Sequence, residues 1–189
     1  MKKENPMEDM KQVLVPVAQG IEEMEAITII DVLRRAGARV TVASVDEKTI
    51  HAARGICFEA DCLIGECMEE DFDLIALPGG IPGAENLAAS SELAELLKRQ
   101  AAKDAFYGGI CASPAVVLHP LGLVRDGAVT CHPGFAHLIG NTSGERVTTD
   151  GCCITSRGGG TSLDFALALV ERLFSKEILE EVRKGLALT

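Results

Sequence analysis

Seven cysteines in 189 residues put thiol chemistry first among the reactions open to this chain. One of them stands apart by its neighbours. Gly108-Gly109-Ile110-Cys111-Ala112-Ser113-Pro114 follows an apolar run and opens a helical pattern, and its small residues permit a tight strand-to-helix reversal. A side chain at such a bend is pushed out over the sheet edge on strained backbone. This is nucleophile-elbow geometry, with Cys111 in the place serine takes elsewhere. The bend also lies at a helix N-terminus, where free N–H groups favour an anion, so the sequence predicts a depressed Cys111 pKa. The bland alternative is a buried cysteine in a tight turn. The other thiols read as small buried hydrophobes. Cys57, Cys62 and Cys67 are five apart and Cys152 and Cys153 are adjacent. Neither pattern has the C-x2-C pairing of a zinc site, and no metal is expected.

Three further groups could serve that thiol. Leu77-Pro78-Gly79-Gly80-Ile81-Pro82-Gly83 ends another apolar run. Its glycines let backbone N–H groups approach the site and, with the N–H of Ala112, form an oxyanion hole. Glu22, Glu23 and Glu25 crowd the first turn of a helical segment, where the dipole alone would favour acids. A helical wheel places Glu25 and Glu22 on the apolar arc and Glu23 nearer its edge. A buried carboxyl is held neutral, and a neutral one donates a hydrogen bond to a thiolate, whereas an ionised one suppresses it. The pattern does not choose between Glu22 and Glu25. His132 is a candidate for a Cys–His dyad; His51, His119 and His137 read as structural or exposed. Ser156-Arg157-Gly158-Gly159-Gly160-Thr161-Ser162 lacks the spacing and lysine of a phosphate loop. It reads as a connection to a helix capped by Thr161-x-x-Asp164.

The elements that must hold these residues alternate. Val13–Val17, Arg39–Val45, Asp73–Leu77, Phe106–Ile110 and Cys152–Ser156 read as strands. Glu22–Ala36, ended by Gly37, a stretch from Ser90 or Ser91 to about Lys103, a short turn of helix after Cys111, Thr161–Phe174 and Ser175–Lys184 read as helices. Ile56–Ala60 and Ala128–Thr130 are ambiguous extended pieces. This alternation predicts an α/β fold, a doubly wound, mainly parallel sheet with helices on both faces and sites at strand carboxyl ends. Residues 1–10 carry five charges and no apolar core, so a disordered tail is expected, followed by one domain over 11–189. Apolar residues at 47% support a sizeable core. Eighteen Lys+Arg against 28 Asp+Glu give −10, the wrong sign for a nucleic-acid binder, and aromatics at 4% leave few stacking platforms. No apolar run approaches the roughly 18 residues of a membrane span, so a cytoplasmic location is expected.

Five motifs in order carry a resemblance over Lys11 to the C-terminus. They are Ala18-Gln19-Gly20-Ile21-Glu22-Glu23-Met24-Glu25, Arg34-Arg35-Ala36-Gly37, Leu77-Pro78-Gly79-Gly80, Gly109-Ile110-Cys111-Ala112-Ser113-Pro114 and Thr155-Ser156-Arg157-Gly158-Gly159-Gly160-Thr161-Ser162. The chain resembles the ThiJ/PfpI superfamily, and within it the subgroup of the Parkinsonism-associated protein deglycase. The resemblance implies a flavodoxin-like fold, a homodimer, no cofactor and an oxidation-sensitive nucleophile at Cys111. It further implies a protonated acid at Glu25, oxyanion contributors at Gly80 and Ala112, a histidine at His132, and a pocket lined by Arg54 with Gly79 beside the substrate. Activity on α-oxoaldehydes such as methylglyoxal, or on early glycation adducts of proteins, follows from it, with redox-dependent chaperone activity as the alternative. Ala112 stands where the protease-like branch has His, and Gly134 follows His132-Pro133 where an amidotransferase would want Glu; both weigh against those classes. Gly159 replaces an expected proline, and Ser113 a frequent Gly or Ala.

Overall fold

The computed structural model describes residues 10–188; residues 1–9 of the expected tail lie outside them. In chain order the elements are β1 (Gln12–Val17), α1 (Glu23–Arg35), β2 (Arg39–Ser44), β3 (Thr49–His51), β4 (Cys57–Glu59), β5 (Cys62–Leu63), β6 (Leu74–Leu77), α2 (Gly83–Ala89), α3 (Ser91–Ala102), β7 (Phe106–Ile110), α4 (Ala136–Ile139), β8 (Val147–Asp150), β9 (Cys153–Ser156), α5 (Ser162–Leu173) and α6 (Lys176–Gly185). Seven strands form one sheet in the order β5-β2-β1-β6-β7-β9-β8. All neighbours run parallel except β8, which is antiparallel to β9. Counted without the edge pieces, β2-β1-β6-β7-β9 is the 2-1-3-4-5 order of the doubly wound, flavodoxin-like fold.

The inner strands are apolar on both faces because helices cover both. Val13, Leu14, Val15, Leu74, Ile75 and Leu77 are all fully buried. From β1 the chain winds outward through α1 to β2, then restarts at β6 and winds the other way through α3 to β7. Right-handed crossovers in opposite directions put α1 and α3 on opposite faces. α5 returns beside α1, and α3 lies against β6 and β7. The switch falls between β1 and β6, so a crevice opens at their carboxyl ends.

The structure departs from the sequence reading at the edges. Ile56–Ala60 supplies β4 of a separate hairpin with β3. β5 and β8 are short polar-flanked edge strands that periodicity does not reveal, and α2 is an unanticipated helix. Ala128–Thr130 forms no strand: the Thr130 N–H goes to the Thr155 hydroxyl at 3.0 Å, not to a ladder. Thr161 does sit before α5, yet its hydroxyl turns back to the Gly158 carbonyl at 2.8 Å and to Ser156, so the expected capping pair does not form. Asp164 pairs instead with Arg146. No described helix is long and apolar enough to cross a membrane.

Candidate active site

Cys111 follows β7 directly, at φ 64°. A non-glycine residue there is held against roughly 1–3 kcal/mol of strain, so its surroundings must fix it. They do so from two sides. Its N–H donates to the Ser156 carbonyl at the end of β9 (3.0 Å), and its carbonyl accepts from the His132 N–H (2.8 Å). A third tie was not foreseen from sequence: Ser113, fully buried, donates its hydroxyl to the Pro78 carbonyl at 2.5 Å. That bond staples the turn after β7 to the loop after β6. The available signal was a lone hydroxyl in an otherwise apolar helix start.

Glu25 is the buried acid. It lies in the first turn of α1 and is fully inaccessible to solvent. Its Oε2 accepts from the Gly79 N–H at 2.8 Å, and its carboxyl lies against the Cys111 side chain. Gly79 makes this approach possible. A Cβ there would stand 2.6 Å from the Cys111 Cβ and 2.9 Å from Glu25 Oε2. Gly79 therefore sits behind the carboxyl, its N–H already committed, and not on the cavity wall. Glu25 Oε1 is buried and has no hydrogen-bond partner among the described residues.

Among the clustered acids, the helical wheel misplaces two. Glu22 precedes the helix in extended backbone and is only half-buried, because the wheel's geometry does not reach it. Glu23 is buried and its carboxylate accepts from the Arg54 N–H at 2.9 Å, pinning the loop that carries that arginine.

The remaining candidates converge on one opening. A cavity of about 250 Å³ is lined by Glu22, Arg54, Gly80, Cys111, Ala112 and His132 among others. The Gly80 and Ala112 N–H groups both favour negative charge on the Cys111 sulfur. His132 is exposed, and its Nδ1 accepts from the Gly134 N–H at 3.1 Å, which leaves the proton of the neutral ring on Nε2. The ring and the sulfur flank Gly158, where a Cβ would lie 3.5 Å from His132 Cδ2 and 3.8 Å from Cys111 Sγ.

The electrostatics correct one expectation. Burial raises the Glu25 carboxyl from 4.5 to about 7. Beside an ionised Glu25 the Cys111 thiol is not depressed: burial, then the adjacent Glu25 charge, push it up to about 12, against the pull of the Gly80 and Ala112 N–H groups. Helix-terminus amides are present as expected, but a sulfur buried beside a carboxylate loses more than they return. Between about 7 and about 12 the two groups together hold one proton.

A buried acid against a bent-out cysteine, at the carboxyl edge of a doubly wound sheet, narrows the comparison with known proteins. The DJ-1/PfpI family model matches residues 11–172. The chain belongs to the DJ-1/PfpI family. It is 46% identical over 185 residues to Protein DJ-1 homolog B of Arabidopsis thaliana, covering 96% of this chain and 41% of that protein. It thus spans less than half the length of that relative. It is 35% identical to a Caenorhabditis elegans protein named Glutathione-independent glyoxalase DJR-1.2, covering 93% of this chain and 95% of that one. Among solved structures, oxidized Toxoplasma gondii DJ-1 superposes with a TM-score of 0.90 at 42% identity, covering 94% of this chain and 98% of that chain.

Proposed function

We propose that this DJ-1/PfpI protein is a cofactor-free, cysteine-dependent glyoxalase or protein deglycase acting on α-oxoaldehydes such as methylglyoxal or on early glycation adducts. The observation that carries the reading is the buried, half-satisfied carboxyl of Glu25 against Cys111. Oε2 is occupied by the Gly79 N–H, whereas Oε1 has no partner. An ionised oxygen left there would be an unsolvated charge, which is strongly unfavourable. A protonated Glu25 removes that charge and can donate to the neighbouring sulfur, so we assign the shared proton to Glu25 and the charge to Cys111, where the Gly80 and Ala112 N–H groups favour it. The name of the nematode relative points to the same chemistry.

The steps follow from that assignment. The Cys111 thiolate adds to the aldehyde carbon, the C=O π bond opens, and Glu25 gives its proton to the new alkoxide, leaving a hemithioacetal. The ionised Glu25 then removes the proton from that carbon and returns it to the neighbouring carbon while the hydroxyl proton passes to the former ketone oxygen, so the first carbon is oxidised to a thioester and the second reduced to a carbinol. Water cleaves the thioester, releasing a hydroxy acid and the thiol; methylglyoxal and one water balance as lactic acid. The Gly80 and Ala112 N–H groups are placed for the oxyanion of the addition and hydrolysis steps. His132, with Nδ1 occupied, offers its Nε2–H to a substrate oxygen, and Arg54 meets a carboxylate or peptide carbonyl at the rim. We further propose a cytoplasmic homodimer, which sedimentation and cell fractionation test. Lactate formed from methylglyoxal without glutathione supports the enzyme reading; a fully active Cys111→Ser variant refutes it.

A second reading, a redox sensor or chaperone, draws on the oxidized state of the Toxoplasma relative. Cys111 would be oxidised to a sulfinate stabilised by Glu25 and the bend amides. Two added oxygens confined to Cys111 under mild peroxide, without aldehyde turnover, would favour it.

A further inference from the structure

The sheet edge opposite β8 carries a second arrangement of sulfur. β5 begins with Cys62 and leads straight into a turn of 3-10 helix, Ile64–Cys67. The turn brings residue 67 back beside residue 62, and the two sulfurs stand 3.5 Å apart. Both positions are held independently of each other. Cys62 pairs with Ala43 of β2, Glu66 caps the turn by accepting from the Leu63 N–H at 2.8 Å, and Arg99 grips the chain just beyond it through the Met68 carbonyl at 2.5 Å. Cys62 is half-buried and Cys67 is 1% exposed.

We infer that Cys62 and Cys67 form a second oxidisable site, a dithiol that closes to an intramolecular disulfide under hydroperoxide. A disulfide sets its sulfurs about 2.05 Å apart, so closure asks for a movement of about 1.4 Å, within reach of side-chain rotation and a small adjustment of the turn. The accessible partner reacts first. The Cys62 sulfur attacks the peroxide, the O–O bond breaks, and sulfenic acid and one water result. The buried Cys67 sulfur then displaces hydroxide from the Cys62 sulfur, forming the S–S bond and a second water. Two thiols lose two electrons and two protons, and one peroxide becomes two waters.

The surroundings select the oxidant. Burial raises both thiols, Cys67 to about 12; Glu66 and Glu70 add to the effect on both, and Asp61 on Cys62. Few thiolates exist near neutrality, so the reaction is slow and accelerates as pH rises. The same acids repel anionic disulfides and admit a small neutral peroxide. Cys67 also ends the reaction at the disulfide: a sulfenic acid at Cys62 is captured before a second peroxide arrives.

The test is direct on the full chain. Reduced protein is held with dilute hydrogen peroxide at pH 8, alkylated, digested and fragmented. The tryptic segment from Gly55 to Lys98 contains Cys57, Cys62 and Cys67. It should carry an alkyl group on Cys57 and lack two hydrogens between Cys62 and Cys67. Cys62→Ser should leave Cys67 alkylatable and unbridged. Full alkylation of Cys62 and Cys67 after peroxide that has already oxidised Cys111 would overturn the inference. A bridge that persists in Cys62→Ser, through Cys57, would overturn it equally.

Discussion

Cys111 and the Cys62–Cys67 pair contain the same functional group, and their neighbours commit it to different chemistry. Cys111 stands on a strained bend, faces two backbone N–H groups, and shares a proton with a carboxyl. Cys62 has another sulfur at 3.5 Å and acids around it. The first arrangement suits attack on a carbon and stabilisation of the resulting oxyanion. The second suits attack on sulfur, with the product locked as a disulfide. Burial raises the thiols of both regions, so burial does not separate them. The partner does: a proton-carrying acid in one case, a resolving thiol in the other.

The strongest way to break that comparison is to exchange the loss. Cys111→Ser should lower aldehyde turnover by on the order of 10³-fold or more, since a unit of coupled catalytic groups fails as a whole. Cys62→Ser should leave turnover unchanged, because the pair lies outside the cavity. Steady-state lactate production checks both. Equal losses would mean that the two sites are one system.

Glu25→Gln sharpens the comparison next. The amide still accepts from the Gly79 N–H but carries no transferable proton, so turnover should fall by on the order of 10²- to 10⁴-fold. Stability should respond to pH as well. The folded carboxyl is raised from 4.5 to about 7. Its contribution is therefore complete below about pH 4.5 and is lost as pH rises through about 7, a difference on the order of 3 kcal/mol. Urea unfolding should show the wild type losing stability relative to Glu25→Gln between pH 5 and pH 8. Parallel curves for the two proteins would remove the buried-acid premise.

Gly79→Ala should have a smaller effect, aimed at the spacing. The added Cβ would meet the Cys111 Cβ at 2.6 Å and Glu25 Oε2 at 2.9 Å. Overpacking of this kind destabilises by about 1–3 kcal/mol, and thermal unfolding measures it. The Cys62–Cys67 pair should still close under peroxide in this variant.

Much of the frame was legible in the chain itself. Val13–Val17 and Asp73–Leu77 are unbroken apolar runs, which only a sheet covered on both faces accommodates. The bend at Cys111 was legible too, because small residues lead into it: a Cβ on Gly108 would lie 2.1 Å from the Ile154 carbonyl, and one on Gly109 would press the Ser113 Cβ at 3.3 Å. The edges were not, since β5 is two residues long and β8 is held mainly by its partner. Nor was the role of each acid. Glu23 faces inward because Arg54, 31 residues away, returns its N–H to it, and no local pattern encodes that return. The pairing of Cys62 with Cys67 was hidden for the same reason, as a five-residue spacing meets only when a 3-10 turn follows the strand.

The central claim is that Cys111 and Glu25 hold one proton between them, with the charge on sulfur. The pH dependence of Cys111 alkylation, measured on wild type and Glu25→Gln, tests it most directly. The account predicts a wild-type midpoint below the ~8.5 of a free cysteine, because Glu25 keeps the shared proton, and the disappearance of that low step in Glu25→Gln. A wild-type midpoint at or above the free-cysteine value, or one profile common to both proteins, would contradict it.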